Sequence, residues 1–319
     1  MAKIKMTIDR NNGKKKILNQ KARRYIFFYS FVAFAIVHFC IFYIAVNINS
    51  ILLAFKQSTR TTDGKIVEIF TLGNFKTFFE DLGRADSPLR EGFLNTLKYF
   101  VLGMFVMVPV SLSISYFLYK KIAFYKGFRI ILFLPSIISG VVFVSMFKLI
   151  IEPFGLIHEL LGKIGVDMPF LLINEKTATP TIMFYVFWTG LAGNMILYQG
   201  AMNRLPNEVI EAGRLDGITW TRELWSVVLP MIWPTFSMTV ILGFTGLFSA
   251  SGPILLFLES GSGVATKGTN TLSYYIFDLT RNGIYYYPAA MGIFFTVCSL
   301  PIVFGIRYLM SKIDPEVEY

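Results

Sequence analysis

The acids and glycines in this chain that could act together stand in one polar stretch, Pro206 to Pro234, PNEVIEAGRLDGITWTRELWSVVLPMIWP. Glu208, Glu211 and Asp216 lie beside Ala212, Gly213 and Gly217, and Leu229 and Pro230 follow twelve residues after Gly217. These carboxylates have no histidine or thiol partner to make a proton relay or a metal site, so the work open to them is docking through charge and shape. Bond-making chemistry is poorly supplied elsewhere too. The histidines are His38 and His158 and the cysteines Cys40 and Cys298, all far apart. There is no G-x-x-x-x-G-K-[ST] phosphate loop and no G-x-S-x-G elbow, so the chain reads as no enzyme and binds no cofactor itself.

Two helices are expected to carry the polar stretch. Pro206 suits a first helical position, where its missing N–H costs nothing, and Glu208 and Glu211 suit the positive end of the helix dipole. Gly217 is expected to end that helix, and a second restarts near Thr219, carries Trp220, Leu224 and Trp225, and runs to Pro230. The plainer reading is an amphipathic connector between larger elements.

Those larger elements are membrane spans. Hydrophobic residues make up 54% of the 319 positions and charged ones 16%, the profile of an integral membrane protein. Apolar runs long enough to cross about 30 Å of hydrocarbon lie near 26–55, 95–118, 129–151, 180–202, 230–250 and 286–308. The third is expected to break at Pro135 and the fifth at Gly243 and Gly246. Lys and Arg number eighteen in the N-terminus, the C-terminus and the loops 119–129 and 203–228, against ten in the opposite loops. The basic side faces the cytoplasm by the positive-inside rule, which places both termini and the 203–228 loop inside. The net charge of +10 therefore serves topology and membrane lipid, not nucleic acid. The first apolar run is too long for a cleavable signal and reads as a retained span. Cys40, Cys298 and His38 fall within spans, where packing is their expected role.

The run E-A-G-x-x-D-G from Glu211 to Gly217, with Leu229 and Pro230 beyond it, resembles the "EAA" loop of permease subunits of binding-protein-dependent ABC importers. The resemblance has alanine where this chain has Gly213. Further matches are Leu72–Leu97, which is similar to the "G-x-x-N-F … N-T-L" approach to the second span, then Leu134–Pro135, Pro153–Ile157, Trp188, Gly190 and Thr269–Phe277. Their order is similar to that of the carbohydrate-uptake branch, related to the larger maltose permease subunit, whose big external domain is absent here. The resemblance implies an all-α, type I importer permease with six transmembrane helices and a cytoplasmic coupling helix in the bacterial cytoplasmic membrane. It implies docking through Glu208, Glu211, Ala212, Gly213, Asp216, Gly217, Leu229 and Pro230 onto a separate ATPase dimer, which holds ATP and Mg. A second, different permease and an extracellular sugar-binding protein complete the implied assembly.

Three regions follow: a basic cytoplasmic N-terminus at 1–24, a first transmembrane helix with its external loop at 25–94, and a permease core at 95–319. A sugar path needs hydroxyl-bonding groups and aromatic faces near mid-membrane. Trp188, Thr189, Gly190, Gly193 and Asn194 in the fourth span, and Thr245, Gly246 and Ser249 in the fifth, offer them on shared helical faces. The same small residues are also how membrane helices pack. In the outer loop 250–284, Gly261, Gly263 and Gly268 suggest pliability, while Asp278 and Arg281 offer polar contacts. Intramembrane acids are almost missing, which weighs against a proton-coupled carrier, yet a self-contained secondary carrier or channel stays open as the alternative.

Overall fold

The computed structural model describes residues 20–60, 66–167, 169–249, 252–259 and 268–315. Residues up to Leu52 form one compact unit and those from Leu53 onward another. The first unit holds most of α1, Arg23–Ala54, which carries no Asp, Glu, Lys or Arg from Tyr25 to Ala54. A helix apolar around its whole circumference is stable in hydrocarbon or against a partner, not in water.

The second unit opens with a hairpin of β1, Lys56–Arg60, and β2, Ile66–Phe70, antiparallel with Lys56 opposite Phe70 and Ser58 opposite Glu68. Lys56 Nζ sits 2.9 Å from Glu68 Oε2, and this contact, then the Tyr286 hydroxyl, holds Glu68 below the usual carboxylate range. The hairpin is the departure from an all-helical chain among the described residues. Next comes α2, Gly73–Gly83, whose buried Asn74 donates to the Ala54 and Lys56 carbonyls at 3.0 and 2.7 Å.

α3, Pro88–Tyr119, is the second span, and it starts earlier than the expected residue 95. Ser87 caps it by accepting the Leu89 N–H at 3.2 Å, and Pro88 takes the first helical position, so the helix can begin in polar sequence outside the apolar run. A π-helical turn interrupts α3 at Leu102–Met107. Pro109 follows at once and can give no N–H to the carbonyl one turn back, which is a sufficient local cause.

The expected third span is two helices, α4 at Tyr125–Ile137 and α5 at Gly140–Ile151. The break falls at Ile138, which is extended, and not at Pro135, which α4 retains in its last turn. α6, Leu156–Lys163, then extends the α5 direction to give a span candidate of Gly140–Lys163. At the join, a Cβ on Gly155 would stand 2.5 Å from the Leu149 carbonyl oxygen and 2.7 Å from that of Ile150. Only glycine fits in the Pro153–Ile157 run there.

α7, Glu175–Met202, is the fourth span, capped by Asn174 through the Lys176 N–H at 2.9 Å. α8, Asn207–Leu215, and α9, Trp220–Met231, form the polar segment. α9 meets α10, Trp233–Thr245, at a bend of 83°. Counting that bent pair as one span gives six candidates among the described residues. Gly243 lies inside α10, and Gly246 ends it. The expected outer loop is largely helical: α11 spans Gly252–Glu259 and α12 Leu272–Arg281, while Gly261 and Gly263 lie outside the described residues. α13, Tyr286–Lys312, is the last span.

Spans in lipid gain little from excluding water between them, so close packing and hydrogen bonds hold them. α3 and α7 form the centre: Ser115 of α3 donates to the Met195 carbonyl of α7 at 3.4 Å, and Ala192 and Met195 are fully buried. One buried cluster joins Leu112 and Tyr116 to Tyr198, Met202, Val228 and Ile232; another joins Phe143 and Tyr185 to Ile254 and Phe257.

Candidate docking loop and solute path

α8 starts just after Pro206 and carries Glu208 in its first turn. At its other end the Asp216 N–H donates to the Ala212 carbonyl at 3.0 Å and the Ile218 N–H to that of Gly213 at 3.2 Å. Gly217 between them has φ of +68°. That backbone is a Schellman-type stop, in which the residue after the left-handed glycine reaches back to close the last turn. A Cβ on Gly213 would lie 2.7 Å from Ile218 Cδ1. The Ile218 side chain folds over the terminal turn and occupies the place of an alanine methyl. Thr219 then caps α9, its Oγ1 accepting the Arg222 N–H at 3.5 Å.

One side of α8 is held and several of its residues are exposed. Ile210 is buried among Leu112, Tyr116, Met202, Leu205 and Leu224, whereas Glu208, Glu211, Ala212, Leu215, Asp216 and Gly217 are exposed. Leu215 is 89% exposed, an apolar tip flanked by acids. Leu229 and Pro230 do not share this surface. Leu229 is buried in the cluster behind α8, and Pro230 sits in α9 just before the bend. Trp233 fixes the far side of that bend by donating to the Met310 carbonyl at 3.2 Å.

The path candidates are divided by the structure. Gly190, Asn194 and Gly246 line one cavity of about 340 Å³ between α3, α7 and α10, together with Tyr99, Met104 and Thr239. Thr245 and Ser249 line another, of about 260 Å³, with Phe248, Ser273, Thr296 and Ser299. Trp188 packs edge-on against Phe143 at 5.4 Å, and the Thr189 hydroxyl donates to the Tyr185 carbonyl at 2.9 Å. Gly193 has no heavy atom within 4 Å of where a Cβ would stand and lines neither cavity. The α3 wall escaped sequence reasoning, because nothing in its apolar run separates cavity-facing from packed residues.

Gly190 of α7 also faces the tip of the Met107 side chain of α3. A Cβ there would fall 2.2 Å from Met107 Cε. Gly190→Trp is therefore expected to lower the amount of folded chain in the membrane, at the overpacking cost of about 1–3 kcal/mol. Quantitative immunoblotting of membrane fractions checks this, and wild-type abundance would refute the close approach.

Two further constellations join residues remote in sequence. At the start of α3, Asn95 is buried and its amide donates to the Gly268 and Asn270 carbonyls at 2.8 and 2.9 Å. Thr179 of α7 also donates to Gly268 O, at 2.5 Å, and Glu91 accepts the Gly268 N–H. Thr96 Oγ1 accepts the Leu272 N–H at 2.9 Å. A Cβ on Gly92 would come within 3.2 Å of the Thr271–Leu272 backbone. The Asn95–Leu97 and Thr269–Leu272 motifs thus clasp one another, and Gly268, expected to be pliable, is pinned at both its N–H and its carbonyl. At the other end of α3, Lys120 pairs with buried Glu223. A third buried charge, Lys148, lies 2.6 Å from the Phe257 carbonyl and over its ring, binding the last turn of α11 as basic groups do at helix C-termini. His158 stacks on Phe170 at 6.0 Å.

These features define a multi-pass membrane protein whose solute-sized cavity lies among spans and whose exposed acidic helix hangs from two of them. Residues 93–319 match the family described as binding-protein-dependent transport system inner membrane component. With that match covering most of its length, the chain belongs to this family and is a transport component, not an enzyme. It is 27% identical over 254 residues to the lactose transport system permease protein LacF of Rhizobium radiobacter, covering 78% of this chain and 82% of that one. It is 27% identical over 231 residues to the polygalacturonan/rhamnogalacturonan transport system permease protein YteP of Bacillus subtilis, covering 70% and 71%. A bacterial alginate ABC transporter, crystallised with an alginate pentasaccharide-bound periplasmic protein, shares the fold. The TM-score is 0.78 at 20% identity, covering 93% of this chain and 98% of that one.

Proposed function

We propose that this chain forms part of the path by which an ATP-driven importer of the bacterial cytoplasmic membrane takes up a sugar or oligosaccharide. An extracellular binding protein delivers the solute, and a second, different permease lines the rest of the path. The 203–228 loop faces the cytoplasm, as do both termini, and α8 docks on a separate ATPase dimer that holds ATP and Mg. Residues 1–24 form the basic inner tail, 25–94 the first span with its outer loop, and 95–319 the core.

The observation that carries this reading is α8 itself. Its inner side is held by Ile210, and it presents Glu208, Glu211, Ala212, Leu215 and Asp216 outward, the arrangement of a plug for a groove on another protein. Relatives named for lactose and for galacturonan polymers support a carbohydrate solute, and the alginate importer's complex with a periplasmic protein supports a receptor partner. Asn194, Gly190 and Gly246 are the path residues proposed here, with Trp188, Thr189, Gly193, Thr245 and Ser249 shaping the helices around them.

Three measurements test the proposal. A cysteine placed at Asn207 should be modified by impermeant reagents in inverted vesicles and spared in intact cells. Glu211→Lys should reduce copurification of the ATPase, its reversed charge turning attraction into repulsion in a partly desolvated groove. Expression of the chain alone should give no uptake, and uptake without partners would favour a self-contained carrier or channel.

A further inference from the structure

We propose that Lys120 and Glu223 form the strut through which movement of α8 and α9 enters α3, which makes both of them positioning residues for transport; this rests on the importer reading above. Lys120 is the C-cap of the α3 helix and Glu223 stands in the first turn of α9. Lys120 Nζ lies 2.5 Å from Glu223 Oε1 and 2.7 Å from Oε2, with the side chains 17% and 4% exposed. A cation at a helix C-terminus and an anion at a helix N-terminus are each favoured by the backbone dipoles. The pair therefore joins two helix ends whose fields both support it. Phe117 of α3 and Trp220 of α9 meet beside it, ring centres 5.2 Å apart.

A cavity of about 370 Å³ is lined by Tyr119, Lys120 and Lys121 on one side and by Ile210 and Glu211 on the other. α8 meets α3 through apolar contact, Ile210 lying in one cluster with Leu112 and Tyr116, whereas α9 meets it through the Lys120–Glu223 pair. Stability alone gives little reason for the pair, because a buried ion pair does about as well as an apolar pair of similar volume. Direction does give one. Apolar contact has no preferred orientation and permits sliding, whereas the charge-assisted hydrogen bond from Lys120 to Glu223 Oε2 holds one register.

The test uses the full-length chain assembled with its second permease, ATPase dimer and receptor in proteoliposomes, reading solute moved per ATP hydrolysed. Lys120→Met with Glu223→Leu removes both charges together and leaves none unpaired. This double variant should assemble yet lower the ratio about tenfold, within the usual span of coupling energies. Lys120→Glu with Glu223→Lys should recover most of the ratio. It should not recover all of it, since each charge then opposes its helix dipole. An apolar pair with the wild-type ratio overturns the strut, as does an assembled reversed pair that does no better than the apolar one. Should the apolar pair fail to assemble, the reversed pair decides alone. A wild-type chain that binds no ATPase overturns the importer reading and the strut together, and it shows this before any variant is made.

Discussion

Replacing Asn95 with leucine is expected to be the most damaging single change where α3 meets the Gly268 loop. Leucine matches the shape of asparagine but has no N–H to give. The Gly268 and Asn270 carbonyls, which now accept from Asn95 at 2.8 and 2.9 Å, would lose that partner at a half-buried site. A buried polar group left unmade costs about 1–3 kcal/mol, which is the expected loss before any relaxation, since the Gly268 carbonyl keeps the Thr179 hydroxyl. Lys98, which donates to Asn95 Oδ1 at 2.9 Å, loses its acceptor as well. Thermal unfolding of the detergent-solubilised chain should show this as a clearly lower midpoint, with Asn95→Gln intermediate. An unchanged midpoint in Asn95→Leu would mean that the Gly268 loop is held by Glu91 and Thr179 without its help.

Gly217→Val should rank next, acting on transport more than on abundance. A left-handed residue costs about 1–2 kcal/mol for any side chain with a Cβ, and a β-branched one fits φ of +68° worst. The chain can escape that strain by unwinding the turn, which breaks the Ile218-to-Gly213 hydrogen bond and re-aims α8 relative to α9. Uptake should fall at least about tenfold, since 1.4 kcal/mol of misplacement already has that effect on an equilibrium. Asparagine, the side chain best suited to the left-handed region after glycine, should restore most uptake in Gly217→Asn. If valine and asparagine behave alike, the turn geometry is not what transport needs.

What could be read without coordinates follows from the range of the forces involved. The α8–turn–α9 segment is governed by local signals: a proline near its start, acids in its first turn, glycine at its stop and threonine at its restart. All were visible in Pro206, Glu208, Gly217 and Thr219. Spans were equally legible because hydrocarbon thickness sets a length that apolar runs must meet. Their ends were less so. α3 begins at Pro88 because of the Ser87 cap, a signal outside the apolar run. The β1–β2 hairpin was also announced locally, by β-branched runs on either side of Asp63–Gly64, a dipeptide favoured in hairpin turns.

The clasp and the buried pair were not legible in that way. Asn95 meets Gly268 across 173 positions and Lys120 meets Glu223 across 103. No periodicity links such partners, so only tertiary packing reveals them. The same holds for the cavity. Small and weakly polar residues mark both packed and open faces of membrane helices, and of Gly190 and Gly193, three residues apart, only the first lines it.

α3 runs for 32 residues, about 48 Å at 1.5 Å per residue, and is fastened at one extremity by Asn95 and at the other by Lys120. Its single irregular stretch, Leu102–Met107, contributes Gly103, Met104 and Met107 to the wall of the larger of the two path cavities. A rod moored at both tips and softened only at its waist converts axial load into flexing at the waist. If that cavity carries solute as proposed, its width there is set by tension between two distant moorings, neither of which lines it.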